Sequence, residues 1–299
     1  MVKNINVKLA NMIEEYIISV PFLKSKFTHH NIKYSIGKLI DNIIIILKTG
    51  ISYRDIQKYT KIHWNTIYKF KLKLVKYNIF EKLFNKTINT YITEMGNTSK
   101  LYYTDTTFIC NKLGEDLASY NPQVKKHKTS KISIISDDFN IPISIKFDTG
   151  ATHDVTILKE QLLDFHKNYP LLCNQTNTII ADGAYDSKPL HTLIKELNFK
   201  NMITNKNIRN LKDISKLDNL KLNKYNKMLL KKRGCVEHSR KTLFFLEARL
   251  KELRSFNKHV INKFKQFKKI QLRYDRYSKN FISYIFMSAL LIVIKNTWI

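Results

Sequence analysis

The stretch TNTIIADGAYDS, residues 176–187, sets the apolar run Ile179, Ile180 and Ala181 directly before Asp182 and Gly183. A short apolar run bounded by turn residues reads as a buried strand. It delivers a carboxylate at the mouth of that strand, and the glycine after it lets the chain turn away without a side chain crowding what the carboxylate meets. Working outward, LYYTDTTFI (101–109), KISIISDD (131–138) and IPISIKFDT (141–149) read as three consecutive strands. The last two are joined by a tight turn at Asp138, Phe139 and Asn140, where Asn tolerates the left-handed conformation that a hairpin needs. A helix from His153 to about Tyr169 carries Val155, Leu158, Leu162 and Phe165 on one face, and a second follows the TIIAD strand around Pro189 to Leu197. A short apolar stretch closes this part at Asn201 to Thr204. Strands first, then strands alternating with helices, is the order of a mixed α+β domain whose mixed sheet is flanked by helices.

Residues 1–97 have a different texture. In YSIGKLIDNIIIILKTG the residues Ile36, Leu39, Ile40, Ile43 and Ile44 share one helical face and Gly50 stops the helix. In the following GISYRDIQKYTKIHWNTIYKFKLKL, Ser52 can cap a short helix carrying Ile56 and Tyr59. A turn near 61–63 then leads to a second helix, starting at Asn65 or Thr66, with Ile67, Phe70 and Leu72. Two short helices about a tight turn, with Trp64, Asn65, Lys69 and Lys71 on or near the second, match a small all-α helix-turn-helix domain whose second helix could enter a major groove. The alternative is an ordinary helical hairpin with solvated lysines.

At 299 residues the chain accommodates two units, 1–97 and 98–299, with a Lys-, Asn- and Leu-rich insertion at about 206–230 that is either loop or partly helical. There are 52 Lys and Arg against 24 Asp and Glu, a net charge of +28. An excess of this size points to a polyanionic partner, nucleic acid before an anionic membrane. A coding bias toward Lys, Asn and Ile accounts for part of the lysine but not for the scarcity of acids. Cys110, Cys173 and Cys235 are few and far apart, which excludes a zinc knuckle or a disulfide framework and fits an intracellular, reducing compartment. Glu14 and Glu15 interrupt the first apolar stretch, against a signal peptide. FISYIFMSALLIVI (281–294) is shorter than a spanning helix needs, so a buried terminal helix, and no membrane, is expected.

Asp105 interrupts its strand as Asp182 ends its own. Neighbouring strands would bring the two carboxylates together, and a bound divalent cation is the usual way to make that arrangement tolerable. Oxygen ligands suit Mg²⁺ or Mn²⁺. KKRGCVEHSRKTLFFLEARL offers a third acid, Glu237, with Arg233 four residues before it and Lys241 four after, on one helical face. Taken alone, that face is also a salt-bridge ladder on a solvated surface.

The order of these features resembles the DDE transposases of the insertion-sequence type, which have a ribonuclease H-like core behind a helical DNA-binding region. LYYTDTT resembles the first strand of that family, KTSKISIISDDFNIPISIKFDTGATHD its second and third strands with the Gly and His-Asp pair after them, and IIADGAYDS its second acidic segment. RGCVEHSRKTL is similar to its Arg-x-x-x-Glu helix, LRYDRYSKNFISYIFMSALLIVI to its closing Arg-Tyr-Asp and apolar helix, and GISYRDI to the DNA-binding region. His238, Leu230 and Asn140 depart from the pattern without removing an acid.

The resemblance implies that Asp105, Asp182 and Glu237 are catalytic and hold two Mg²⁺ or Mn²⁺ ions. It also implies that the enzyme cuts double-stranded DNA at element ends and joins the 3′-ends to target DNA as a homodimer, with no covalent protein intermediate. Arg233, Arg240 and Lys241 become candidates for the scissile phosphate, and Trp64, Asn65 and Lys69 for the bound duplex. A nuclease without strand transfer and a retired transposase kept as a DNA-binding protein stand beside it. Asp154 is read as a helix N-cap, His153 as a core or surface histidine, and Tyr185 as packing beside the sheet or stacking on a flipped base.

Overall fold

The computed structural model describes residues 2–27, 33–94, 99–121, 124–203 and 258–297. Six helices come first: α1 (Val2–Ser19), α2 (Pro21–Phe27), α3 (Ile36–Thr49), α4 (Tyr53–Ile56), α5 (Trp64–Lys76) and α6 (Ile79–Glu94). Local chemistry sets their ends. The Ser35 hydroxyl accepts from the Lys38 N–H at the start of α3, and Gly50, at φ 72°, donates its N–H to the Ile46 carbonyl at the end, a left-handed cap that glycine adopts without penalty. All five apolar residues expected on one face of α3 are buried. Ser52 caps α4 through the Asp55 N–H, but α4 ends at Ile56 and leaves Tyr59 exposed.

The sheet comprises β1 (Leu101–Asn111), β2 (Ser119–Asn121), β3 (Val124–Ser136), β4 (Pro142–Thr149), β5 (Thr178–Ala181), β6 (Lys200–Ile203) and β7 (Leu272–Arg273). Its main order is β4-β3-β1-β5-β6. β3 runs antiparallel to β1 and to β4, while β5 lies parallel to β1 and β6 parallel to β5. This is the mixed sheet flanked by helices expected from the sequence. The β3–β4 turn follows the expected chemistry: Asn140 sits at φ 59°, and Asp137 Oδ1 accepts from the N–H groups of Phe139 and Ile141. Strands β2 and β7 were not anticipated. Helices α7 (Asp154–Asn168) and α8 (Lys188–Glu196) supply the crossovers, and after the helical turn sequence 258–265, here α9, come α10 (Lys268–Gln271) and α11 (Ser278–Thr297).

Helix α11 joins the two halves. By length and composition it could cross a membrane, but 72% of its most apolar window is buried inside the protein, as for a core helix. It packs on α1, α5 and α6 on one side and on β4 on the other, so one hydrophobic core runs from Leu9 to Ile294. Phe84 meets Phe286 and the Tyr53 and Tyr284 hydroxyls lie 2.6 Å apart.

Lys71, placed by its sequence near a DNA-facing surface, is instead 1% exposed. Its ammonium donates to the Asn280 carbonyl at 2.8 Å and lies 4.5 Å from the Tyr284 ring centroid. It therefore ties α5 to α11 rather than facing solvent. Burial pushes its pKa down to about 7, with Asp275 opposing and Lys269 reinforcing the shift. A depressed lysine contributes stability that is present above its unfolded pKa and is lost as pH falls toward 7. Lys71→Met is accordingly expected to melt above the parent at pH 7 by about 1 kcal/mol or more. The advantage should shrink toward pH 10, a trend readable from melting curves across that range.

Candidate active site

Strand register builds the site. Tyr103 on β1 pairs with Ile180 on β5 in parallel register. Asp105 and Asp182 each lie two residues beyond that pair, so they are neighbours where the end of β5 meets the interior of β1, as expected. The apolar run holds Asp182 rigidly: Ile179, Ile180 and Ala181 are buried. Asp182 also caps the 3₁₀ turn Gly183–Tyr185, its Oδ1 accepting from the Ala184 N–H at 2.6 Å. Gly183 is buried and lies outside the left-handed region; among the described glycines only Gly50 has positive φ.

The electrostatics show which acids converge. Burial pushes the Asp105 carboxyl up to about 6 from 3.8. The Thr106 N–H, bonded to Asp105 Oδ1 at 2.8 Å, and the Lys258 ammonium pull the other way, while the Asp182 and Asp154 carboxylates add to the rise. The Tyr185 hydroxyl is pushed well above its ordinary value by burial and then by Asp105, Asp154 and Asp182. Tyr185 is thus packed against the sheet, 1% exposed, with its phenol among the three acids and beside Thr106.

Asp154 is the residue the sequence underestimated. The N-cap of α7 is His153, without a side-chain cap bond, and Asp154 occupies the first helical turn. Its carboxylate pairs at 2.7 Å with Lys131, which is 95% buried by side chain, donates also to the Thr152 carbonyl and lies over the Phe108 ring. The His-Asp pair marked this position, but only the packing of α7 on β3, with the Lys131 pair, shows that its charge lies within electrostatic reach of Asp105.

Glu237, Arg233, Arg240 and Lys241, with Leu230, His238, Cys235 and the insertion 206–230, lie outside the described residues. Among the described residues no three His, Cys, Asp or Glu side chains are grouped closely enough to hold an ion. What is present is two acidic neighbours with excess negative charge, all-oxygen donors, and Lys258 on α9; that donor set fits Mg²⁺ or Mn²⁺ and needs a further ligand. On the helical side, His63 caps α5, Trp64 and Asn65 are half-buried and Lys69 is exposed. Arg54 stacks over the Trp64 ring at 5.6 Å, and Gln57 Oε1 accepts from the Trp64 N–H.

Residues 105–265, more than half of the chain, match the family described as "Transposase DDE domain". Among curated protein sequences none matches. The chain is similar to a solved piggyBac transposase synaptic complex with hairpin DNA, with 14% identity, 72% of this chain and 53% of that chain covered, and a TM-score of 0.37. It spans about half the length of that relative. It is also similar to a pre-cleavage Mos1 transpososome, with 9% identity, 87% and 90% covered and a TM-score of 0.27. For the catalytic domain of Mos1 mariner transposase the figures are 10%, 63%, 90% and 0.28.

Proposed function

The chain belongs to the family of transposases with a DDE domain, and from that premise we propose that it cleaves DNA at the ends of a mobile element and transfers the exposed 3′-ends to target DNA. The observation that carries this reading is the neighbouring of Asp105, within β1, and Asp182, at the end of β5, with the Asp105 carboxyl driven up to about 6 by burial and by nearby acids. Such a cluster discourages its own ionisation and welcomes a divalent cation.

Asp105, Asp182 and Glu237 would hold Mg²⁺ or Mn²⁺, two ions in the full site, and when bound these supply Lewis-acid stabilisation of the charge that develops at phosphorus. The chain's own residues do the rest. Asp182, pinned by the Ala184 N–H, keeps one carboxylate oxygen in a fixed direction. Burial of Tyr185 and of the β5 residues closes the floor of the site. Arg233, Arg240 and Lys241 neutralise phosphates flanking the scissile bond. Residues 1–97 form the DNA-binding unit and 98–299 the catalytic unit. Lys69, Asn65 and Trp64 of α5 contact the duplex, and two copies pair on DNA.

The test uses labelled duplex carrying the native flanking repeats with Mg²⁺. Asp182→Ala is expected to lose cleavage while still retaining DNA in a binding assay, because phosphate contacts supply most of the affinity. Equal cutting by parent and variant would remove Asp182 from the chemistry.

A further inference from the structure

We propose that Asp186, His191 and Asn201 form a buried positioning unit that orients the Asp182 carboxylate and thereby sets how tightly the acidic cluster holds a divalent cation. This rests on the reading of Asp182 as an ion ligand.

Asp182 stands at the front of the short loop 182–186, whose internal order is a single 3₁₀ turn. Its bonds are Tyr185 N–H to the Asp182 carbonyl at 3.1 Å and Asp186 N–H to the Gly183 carbonyl at 3.3 Å. Bonds of this kind are poorly aligned and fix the loop backbone weakly, although the Ala184 N–H bonded to Asp182 Oδ1 at 2.6 Å sets the direction of one carboxylate oxygen. The rear of the loop is held differently. Asp186 Oδ1 lies 2.8 Å from His191 Nε2 on α8, and His191 Nδ1 lies 2.8 Å from Asn201 Nδ2 on β6. The side chains of His191 and Asp186 are 4% and 0% exposed. Because the Asn201 amide donates to Nδ1, the imidazole presents an N–H on Nε2 and donates it to Asp186.

Two hydrogen bonds and the β5–β6 pairing close a circuit. β5 leads into the loop, Asp186 reaches α8 through His191, His191 reaches β6 through Asn201, and Asn201 pairs in the sheet with Ile179 of β5. A displacement of Asp182 must therefore stretch a hydrogen bond in a dry environment, where it is stronger than in water. Apolar side chains would fill the same space more cheaply, without leaving Asn201 Oδ1 buried and unpartnered. What the polar network provides instead is direction, and the residue it directs is the one that ends β5. Partners of this outer kind typically govern metal affinity by about 10–100-fold.

Mn²⁺ binding to the full chain, followed by the EPR signal of the free ion, tests the idea alongside melting without metal. Asp182→Asn controls for the underlying reading. His191→Leu is expected to weaken Mn²⁺ binding by about 10–100-fold. His191→Gln, which can still donate to Asp186, should recover most of that loss. If His191→Leu melts lower without metal yet binds Mn²⁺ as the parent does, the network only holds the fold and the proposal is overturned. Should that variant not fold, Asn201→Ala takes its place with the same readout and the same overturning result. Unchanged binding in Asp182→Asn would overturn the ligand reading itself, whatever the His191 variants do.

Discussion

An Asp105→Asn protein should melt higher than its parent in the absence of divalent cations at pH 7.5, and should cut no DNA in their presence. The parent forces a carboxylate into a buried place beside Asp182 and Asp154, and its pKa rises from 3.8 to about 6. A carboxyl with a raised folded pKa contributes stability that is complete below the unfolded value and is lost as pH climbs through the folded one. By about pH 7 nearly the whole penalty is present, about 3 kcal/mol. Asn removes the charge and keeps the shape, so the gain should be a few degrees in Tm, absent at pH 4 and full by pH 7. Addition of Mn²⁺ should reverse the ranking, because only the parent gains the stabilisation that comes from binding a ligand to the folded state alone. Loss of an ion ligand should cost several kcal/mol of transition-state stabilisation, about 10³-fold or more in cleavage rate. Differential scanning calorimetry over this pH range, with and without Mn²⁺, reads the first part and gel cleavage the second. A variant that melts below the parent without metal would show that Asp105 is a structural carboxylate.

The second large effect concerns Arg273. This side chain is fully buried at the end of β7, where Asn111 of β1 pairs with it. Its guanidinium donates to the Asp116 carbonyl at 2.6 Å, to Asp116 Oδ1 at 2.5 Å, to the Ser130 hydroxyl at 3.1 Å and to the Asp275 carbonyl at 3.1 Å. Asp116 in turn accepts from the Ser278 N–H and hydroxyl at the start of α11. Burial alone would raise the Asp116 pKa, but the bonds from Ser278 and Arg273 outweigh it and hold the carboxyl below its ordinary value. A Cβ on Gly114 would come within 2.6 Å of the guanidinium, so the space is full. Arg273→Met should therefore leave the Asp116, Ser130 and Asp275 oxygens without this donor, break a fork in which the cation itself is fully buried, and cost about 3–5 kcal/mol, measured by urea denaturation. Arg273→Lys should recover little, since one ammonium cannot replace a planar fork. A shift in midpoint within error for Arg273→Met would mean that water substitutes for the guanidinium.

What was legible in the sequence follows the range of the signals. Gly50, Ser52 and Asn140 act on their own backbone, and each marks an end or a turn as expected. The TIIAD run and the α3 face are read directly from apolar spacing. Strands β2 and β7 span three and two residues, too few for any alternation, and exist because Lys128, Thr129 and Cys110 offer them partners. Lys71 shows the opposite failure: a cation in an amphipathic helix reads as solvated, and only the arrival of α11 from 209 residues away buries it. The pairing of Asp105 with Asp182 was expected from strand order; the approach of Asp154 through Lys131 was not, since nothing local distinguishes that contact from a helix start.

Helix α11 carries one more consequence. Phe84 of α6 and the faces of α1 and α5 pack against 278–297, as does β4 of the sheet. Until α11 is made, the apolar faces it covers on both sides stay exposed. The helical head and the sheet therefore reach their final packing together, because each needs the same helix.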